Sequence, residues 1–216
     1  MGNQGVIGLS KMKYDFLREL GSIGGGCATT SLSVLLNSQL TMDVPEVKVL
    51  SFLELTEMLG GAENLVVAVV SPIVGDLNGI MMFVLEADKA RHLTNVIVEE
   101  DVSEVDFSDM DLSAIKEIGN IIISTYLASL EALTKFKIRT SPPEMSIDMA
   151  GAILSIPAIE FGEDGDQALI IESSFKEDKH DINGNIILIS EVNSYDKMYK
   201  ALGVGWQLWQ RLLRLA

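Results

Sequence analysis

The feature that most constrains this chain is its resemblance to itself. Shifting the sequence by 98 positions lays "RELGSIGGG" (18–26) on "KEIGNIIIS" (116–124), so that Glu19 meets Glu117, Gly21 meets Gly119, Ser22 meets Asn120 and Ile23 meets Ile121. The same shift lays "VPEV" (44–47) on "PPEM" (142–145). Farther on, "GDLNGIMMFVL" from Gly75 matches "HDINGNIILIS" from His180 at an offset of 105, as an insertion of seven residues would produce. The chain reads as a tandem duplication. Each half is predicted to contain a long helix, a strand after the Pro-Glu pair, a turn of helix, a strand pair joined around Asp-x-Asn-Gly, and a closing helix. The expected fold is therefore α+β, with tandem duplicated halves forming a mixed, mostly antiparallel sheet packed with long helices. The predicted organisation is one domain over residues 1–216, with repeat halves at about 12–100 and 110–203 and an amphipathic tail at 204–216.

The strand segments "NLVVAVVSPI", "IMMFVL", "QALIIESSF" and "NIILIS" are rich in Val, Ile, Leu and Met, which suits a sheet buried on at least one face. Asn-Gly between each pair is a strong hairpin signal. The run from Asn64 to Leu85 is interrupted by Pro72, Gly75 and Asp76 and is too broken to span a bilayer.

"GSIGGGCATTSL", residues 21–32, has the glycine density of a phosphate-binding loop. A Walker A loop needs a lysine after its last glycine, and Cys27 stands there. A dinucleotide fingerprint follows a strand, whereas this stretch follows "KMKYDFLREL", in which Met12, Phe16 and Leu20 recur at helical spacing. A tyrosine-phosphatase loop places an arginine six residues after its cysteine, where this chain has Ser33. The remaining reading is a helix interior. Each mid-helix glycine costs about 1 kcal/mol against alanine, so several together predict close packing by another backbone or a special surface. Buried packing is the expectation for Cys27.

Charge narrows the partners. Acidic residues outnumber basic ones by 31 to 16, for a net charge of −15, which repels a nucleic-acid backbone. A single cysteine excludes an internal disulfide, and with no signal-peptide pattern at the amino terminus a reducing cytoplasm is expected. The acidic stretch at 98–111 reads as a solvated linker that also caps the second long helix. No metal site is assigned, and His92 and His180 lack ligand spacing.

An acid or serine, three residues, a glutamate, two residues, an asparagine, and a proline 23 positions further on together make a longer pattern. It reads Ser113, Glu117, Asn120 and Pro143 in the second half, and Asp15, Glu19, Ser22 and Pro45 in the first, where serine replaces asparagine. This pattern, with "YDFLRELGSIGGGCATTSLSVLLN" and "LSAIKEIGNIIISTYLASL" around it, is similar to the signature of the CheC/CheX/FliY family of bacterial chemotaxis phosphatases. Two copies in a chain of this length resemble its CheC branch. The residues alone leave Pro45 and Pro143 as connection ends that set up strands, and Asp15 and Ser113 as helix-face or capping residues.

The resemblance implies a hydrolase acting on a phosphorylated CheY-type response regulator. That partner carries the aspartyl phosphate, the Mg2+ and a lysine, so this chain needs no cofactor of its own. By the same resemblance, Glu117 engages the regulator's lysine and Asn120 orients the attacking water. Serine has one polar atom on a shorter side chain, so Glu19 and Ser22 form a weak or degenerate second site. The family also binds the deamidase CheD through a second-half helix, here matched by residues 146–164, with Ile147, Met149, Ile153 and Leu154 beside Asp148. An ordinary core helix fits that stretch equally well. The carboxy-terminal "GVGWQLWQRLLRLA" places Trp206, Trp209, Leu212 and Leu213 on one helical face near Arg211 and Arg214, and is expected to dock on the chain's own sheet. The first ten residues read as a flexible leader.

Overall fold

A computed structural model of the chain describes residues 11–35, 39–43, 46–98, 107–161, 167–177, 180–190, 197–198 and 200–201. Pro45, the leader and the tail lie outside them. The first half runs α1 (Lys11–Leu35), β1 (Leu40–Met42), β2 (Glu46–Ser51), α2 (Phe52–Met58), β3 (Leu65–Gly75), β4 (Gly79–Glu86) and α3 (Ala87–Val98). The second runs α4 (Asp109–Thr134), β5 (Ile138–Thr140), β6 (Glu144–Met149), α5 (Ala150–Phe161), β7 (Gln167–Glu177) and β8 (His180–Ser190). From the long helix through the hairpin the element order thus repeats, and each half adds a short strand, β1 or β5, ahead of the predicted one; the predicted closing helix of the second half lies largely outside the described residues.

All eight strands join one sheet, and every pairing among the described residues is antiparallel. The hairpins β3–β4 and β7–β8 meet at the centre through β4 and β8. There Met82 pairs with Ile187, its own counterpart at the 105-residue offset, so the approximate two-fold axis of the duplication crosses the sheet at this pair. The outer strands are exchanged: β2 of the first half pairs with β7 of the second, and β6 of the second with β3 of the first.

The two faces of the sheet bury alternate residues of the same strands. Val67, Val69, Met81, Phe83, Ile186 and Leu188 pack with Leu17, Leu20, Leu93, Ile118, Ile122 and Tyr126 beneath α1, α3 and α4. Val66, Ala68, Met82, Val84, Ile187 and Ile189 pack with Phe52, Leu55, Leu59 and Leu154 beneath α2 and α5. A sheet covered on both sides reads as a continuous apolar run, which explains why these strands lack polar alternation.

The two Asn-Gly signals have different fates. Asp76-Leu77-Asn78-Gly79 forms the β3–β4 turn, where the Asn78 side chain accepts the Gly75 N–H. The predicted second-half turn is corrected: Asn183 and Gly184 lie inside β8, opposite Ser174 and Ser173. Gly184 serves packing there, because a Cβ would stand 2.3 Å from the Phe83 ring.

Candidate functional site

The site is built on the outer faces of α1 and α4. Ser108 caps α4: its Oγ accepts the Asp111 N–H, while an Asp111 carboxylate oxygen accepts the Ser108 N–H and Oγ–H at 2.9 Å each. The same oxygen accepts from Arg91 of α3 at 3.0 Å, and the guanidinium lies 4.4 Å from the centroid of the Phe107 ring. Burial pushes the Asp111 carboxyl up, but its hydrogen bonds with Ser108 and the Arg91 charge outweigh this and hold it below the usual carboxylate value. The acidic stretch was expected to be solvated. Ser108 is the cap, but Asp111 is buried and clamps the start of α4 to α3. The sequence signal was the Ser-x-x-acid capping box.

One face of α4 carries Ile115, Ile118, Ile122, Tyr126 and Leu130, all buried. Gly119 is buried among them, where a Cβ would come 2.6 Å from Val69 of β3, so glycine sets how closely α4 approaches the sheet. The opposite face carries Ser113, Glu117, Asn120 and Ser124, at spacings of four, three and four residues. Glu117 and Ser113 are exposed and Asn120 is half-buried. Ser113 donates back to the Asp109 carbonyl at 2.8 Å, and Ser124 donates to Asn120 Oδ1 at 3.5 Å. Pro143 is half-buried in the link from β5 and immediately precedes β6.

On α1, Asp15 is exposed and Glu19 and Ser22 are half-buried, along the corresponding stripe. Ser22 donates to the Arg18 carbonyl at 3.0 Å, so its hydroxyl is engaged with its own helix. Two glycines of this helix are explained by packing. A Cβ at Gly24 would stand 2.7 Å from Tyr126 Cδ1, and one at Gly25 would stand 2.1 Å from Met42 Sδ. Tyr126 also donates its hydroxyl to the Gly21 carbonyl at 3.2 Å. Side chains, and not a second backbone, occupy the space the glycines leave: the Tyr126 ring at Gly24 and the Met42 thioether at Gly25. Gly26 faces open space, and Cys27, expected to be buried, is exposed, because both lie off the side that meets α4.

The expected partner helix at 146–164 is corrected in its first part. Ile147, Asp148 and Met149 end strand β6, and α5 begins only at Ala150. Met145 and Ile147 point inward while Ser146 and Asp148 point outward, a two-residue alternation that the apolar helix behind it conceals. Leu154 is buried and Ile153 packs against the same core, whereas Ile156 and Ile159 are 66% and 81% exposed. Among the described residues no cluster of His, Cys, Asp or Glu is arranged to hold a metal ion, and no helix is long and apolar enough to cross a membrane.

Comparison with known proteins agrees with this architecture. The model of the CheC-like family matches residues 110–147, which span α4, β5 and the start of β6. The chain is 32% identical to "CheY-P phosphatase CheC" of Bacillus subtilis, across 92% of this chain and 97% of that protein. It is 28% identical to "Flagellar motor switch phosphatase FliY" of the same organism, across 66% of this chain and 37% of that longer protein. In fold it is similar to the crystal structure of Thermotoga maritima FliY, with a TM-score of 0.74, 20% identity, and coverage of 92% of this chain and 99% of that one.

Proposed function

The chain belongs to the CheC-like family, and from that premise we propose that it hydrolyses the aspartyl phosphate of a phosphorylated CheY-type response regulator in the cytoplasm. The observation that carries this reading is the exposed Glu117–Asn120 stripe on a helix whose opposite face is locked into the core. Residues three apart on a helix have Cβ atoms about 5–6 Å from each other, so carboxylate and amide enter one cleft together. Glu117 engages the regulator's lysine and fixes the docked geometry. Asn120, with a donor and an acceptor on one planar group, holds a water in line with the phosphorus–oxygen bond of the acyl phosphate. Water attacks phosphorus, the bond to the aspartyl oxygen breaks, and the products are the free carboxylate and inorganic phosphate. The regulator supplies Mg2+, and this chain contributes position. Positioning is steep in distance, since a displacement of about 1 Å can cost about 10²-fold.

The test is the decay of radiolabelled CheY-P from Bacillus subtilis with this protein at substoichiometric concentration. Accelerated decay that disappears in Asn120→Ala is the expected result. Unaltered acceleration in that variant would overturn the assignment.

A second reading is favoured by the outward face of α5, where Ile156 and Ile159 stand exposed, as Leu53 does on the adjoining α2 and Asp148 and Met149 do at the end of β6. This face suits binding of the deamidase CheD. Asp148→Lys with Ile159→Glu is expected to abolish CheD capture while leaving phosphatase activity intact. Retained capture would remove the assignment.

A further inference from the structure

Hydroxyl side chains in the two long helices mostly return to their own backbone. Ser22, Thr29 and Thr30 of α1 and Ser113, Ser129 and Thr134 of α4 each donate to the carbonyl four residues earlier, and Thr125 donates to the one three residues earlier. This is the ordinary fate of a helical serine or threonine, because that carbonyl lies within reach. Ser124 departs from it. Its Oγ donates to the side-chain oxygen of Asn120, at 3.5 Å, although the Asn120 carbonyl lies one turn back as it does for the others.

We propose that Ser124 is a positioning residue that fixes the amide plane of Asn120; the inference rests on Asn120 being the group that orients the attacking water. An exposed asparagine amide rotates broadly about its last torsion and presents oxygen or nitrogen to a ligand in turn. A hydroxyl on Oδ1 selects one of these orientations. It leaves the two Nδ2 hydrogens and the second lone pair of Oδ1 free for water and regulator. At 3.5 Å the contact is long for O–H···O, and the proposal requires it to shorten when the regulator docks on the site. The other half of the molecule lacks the arrangement altogether. At the 98-residue offset the counterpart of Ser124 is Gly26, which has no side chain and faces open space. The first half therefore lacks both the amide and the group that would hold it.

The test measures kcat and KM for CheY-P dephosphorylation by wild type, Asn120→Ala, Ser124→Ala and Ser124→Thr. Ser124→Ala is expected to lower kcat roughly 3- to 10-fold, the worth of one hydrogen bond, with KM unchanged. Ser124→Thr, which keeps the hydroxyl, is expected to restore kcat. Alanine at an exposed helical position favours the helix, so a fall in kcat does not report unfolding. A Ser124→Ala enzyme with wild-type kcat, or a Ser124→Thr enzyme as slow as the alanine variant, overturns the positioning role while Asn120→Ala remains inactive. An active Asn120→Ala enzyme overturns both this role and the assignment of Asn120, so the two failures are distinct.

Discussion

Where α4 carries Asn120 with its amide beside the Ser124 hydroxyl, α1 carries Ser22 with its hydroxyl returned to the Arg18 carbonyl, and Gly26 one turn on. The glutamates match, the glycines two residues after them match, and both helices lie on the same face of the sheet. Along the stripe the difference lies in three side chains, Asp15 for Ser113, Ser22 for Asn120 and Gly26 for Ser124. A duplicated scaffold preserves where a residue is presented far more readily than what it presents, because presentation depends on many buried contacts and the chemistry depends on one or two exposed atoms. Gly24 of α1 has a separate use: it admits the Tyr126 ring of α4, whose hydroxyl donates to the Gly21 carbonyl, so the two stripes are held on one packed unit.

The comparison can be broken first at the anchor of α4. Asp111→Ala removes one partner of a buried ion pair together with half of a capping box, and should cost about 3 kcal/mol or more in urea unfolding. Since the folded-state carboxyl is held below its ordinary value, its contribution is present above the usual carboxylate range and is lost as pH falls through the lowered folded value. Asp111→Asn should accordingly flatten the acid limb of the stability profile. An unchanged limb would remove Asp111 from the account of that helix.

Next come the paired glutamates. Glu117→Ala should reduce kcat/KM for CheY-P about tenfold or more, and Glu19→Ala less than twofold. Equal losses would mean that both stripes work. The asymmetry can also be reversed: in an Asn120→Ala background, Ser22→Asn with Gly26→Ser should recover a few-fold more activity than Ser22→Asn alone. Smallest are the glycines. Gly26→Ala should stabilise the protein by up to about 1 kcal/mol in thermal or urea unfolding, since its Cβ meets open space. Gly24→Ala should destabilise it, because its Cβ would stand 2.7 Å from the packed Tyr126 ring.

Much of this architecture was legible in the chain. The shift that lays Glu19 on Glu117 announces the duplication, and helical spacing identifies α1 in spite of its glycines. The Glu-x-x-Asn spacing puts the candidate site on one face of α4. These are properties of neighbours three to four residues apart, and helical geometry alone relates them. What lay hidden depends on residues brought together from afar. Nothing in "VPEV" or "PPEM" says that each strand pairs with the hairpin of the opposite half, because an apolar strand accepts any partner that continues its ladder. Asn183-Gly184 reads locally as a turn, yet lies inside β8, where Phe83 requires the space of a missing side chain. Asp111 reads as one more solvated acid until Arg91 of a preceding helix is placed against it. Ser124 reads as an ordinary helical serine until its hydroxyl is seen turned to Asn120. The sequence by itself determined the elements, their repetition and the exposed stripe, through local periodicity. Only the tertiary structure decided which strands exchange between halves, which glycines admit a neighbour and which polar groups are buried, because each is set by atoms that meet only after the chain has folded.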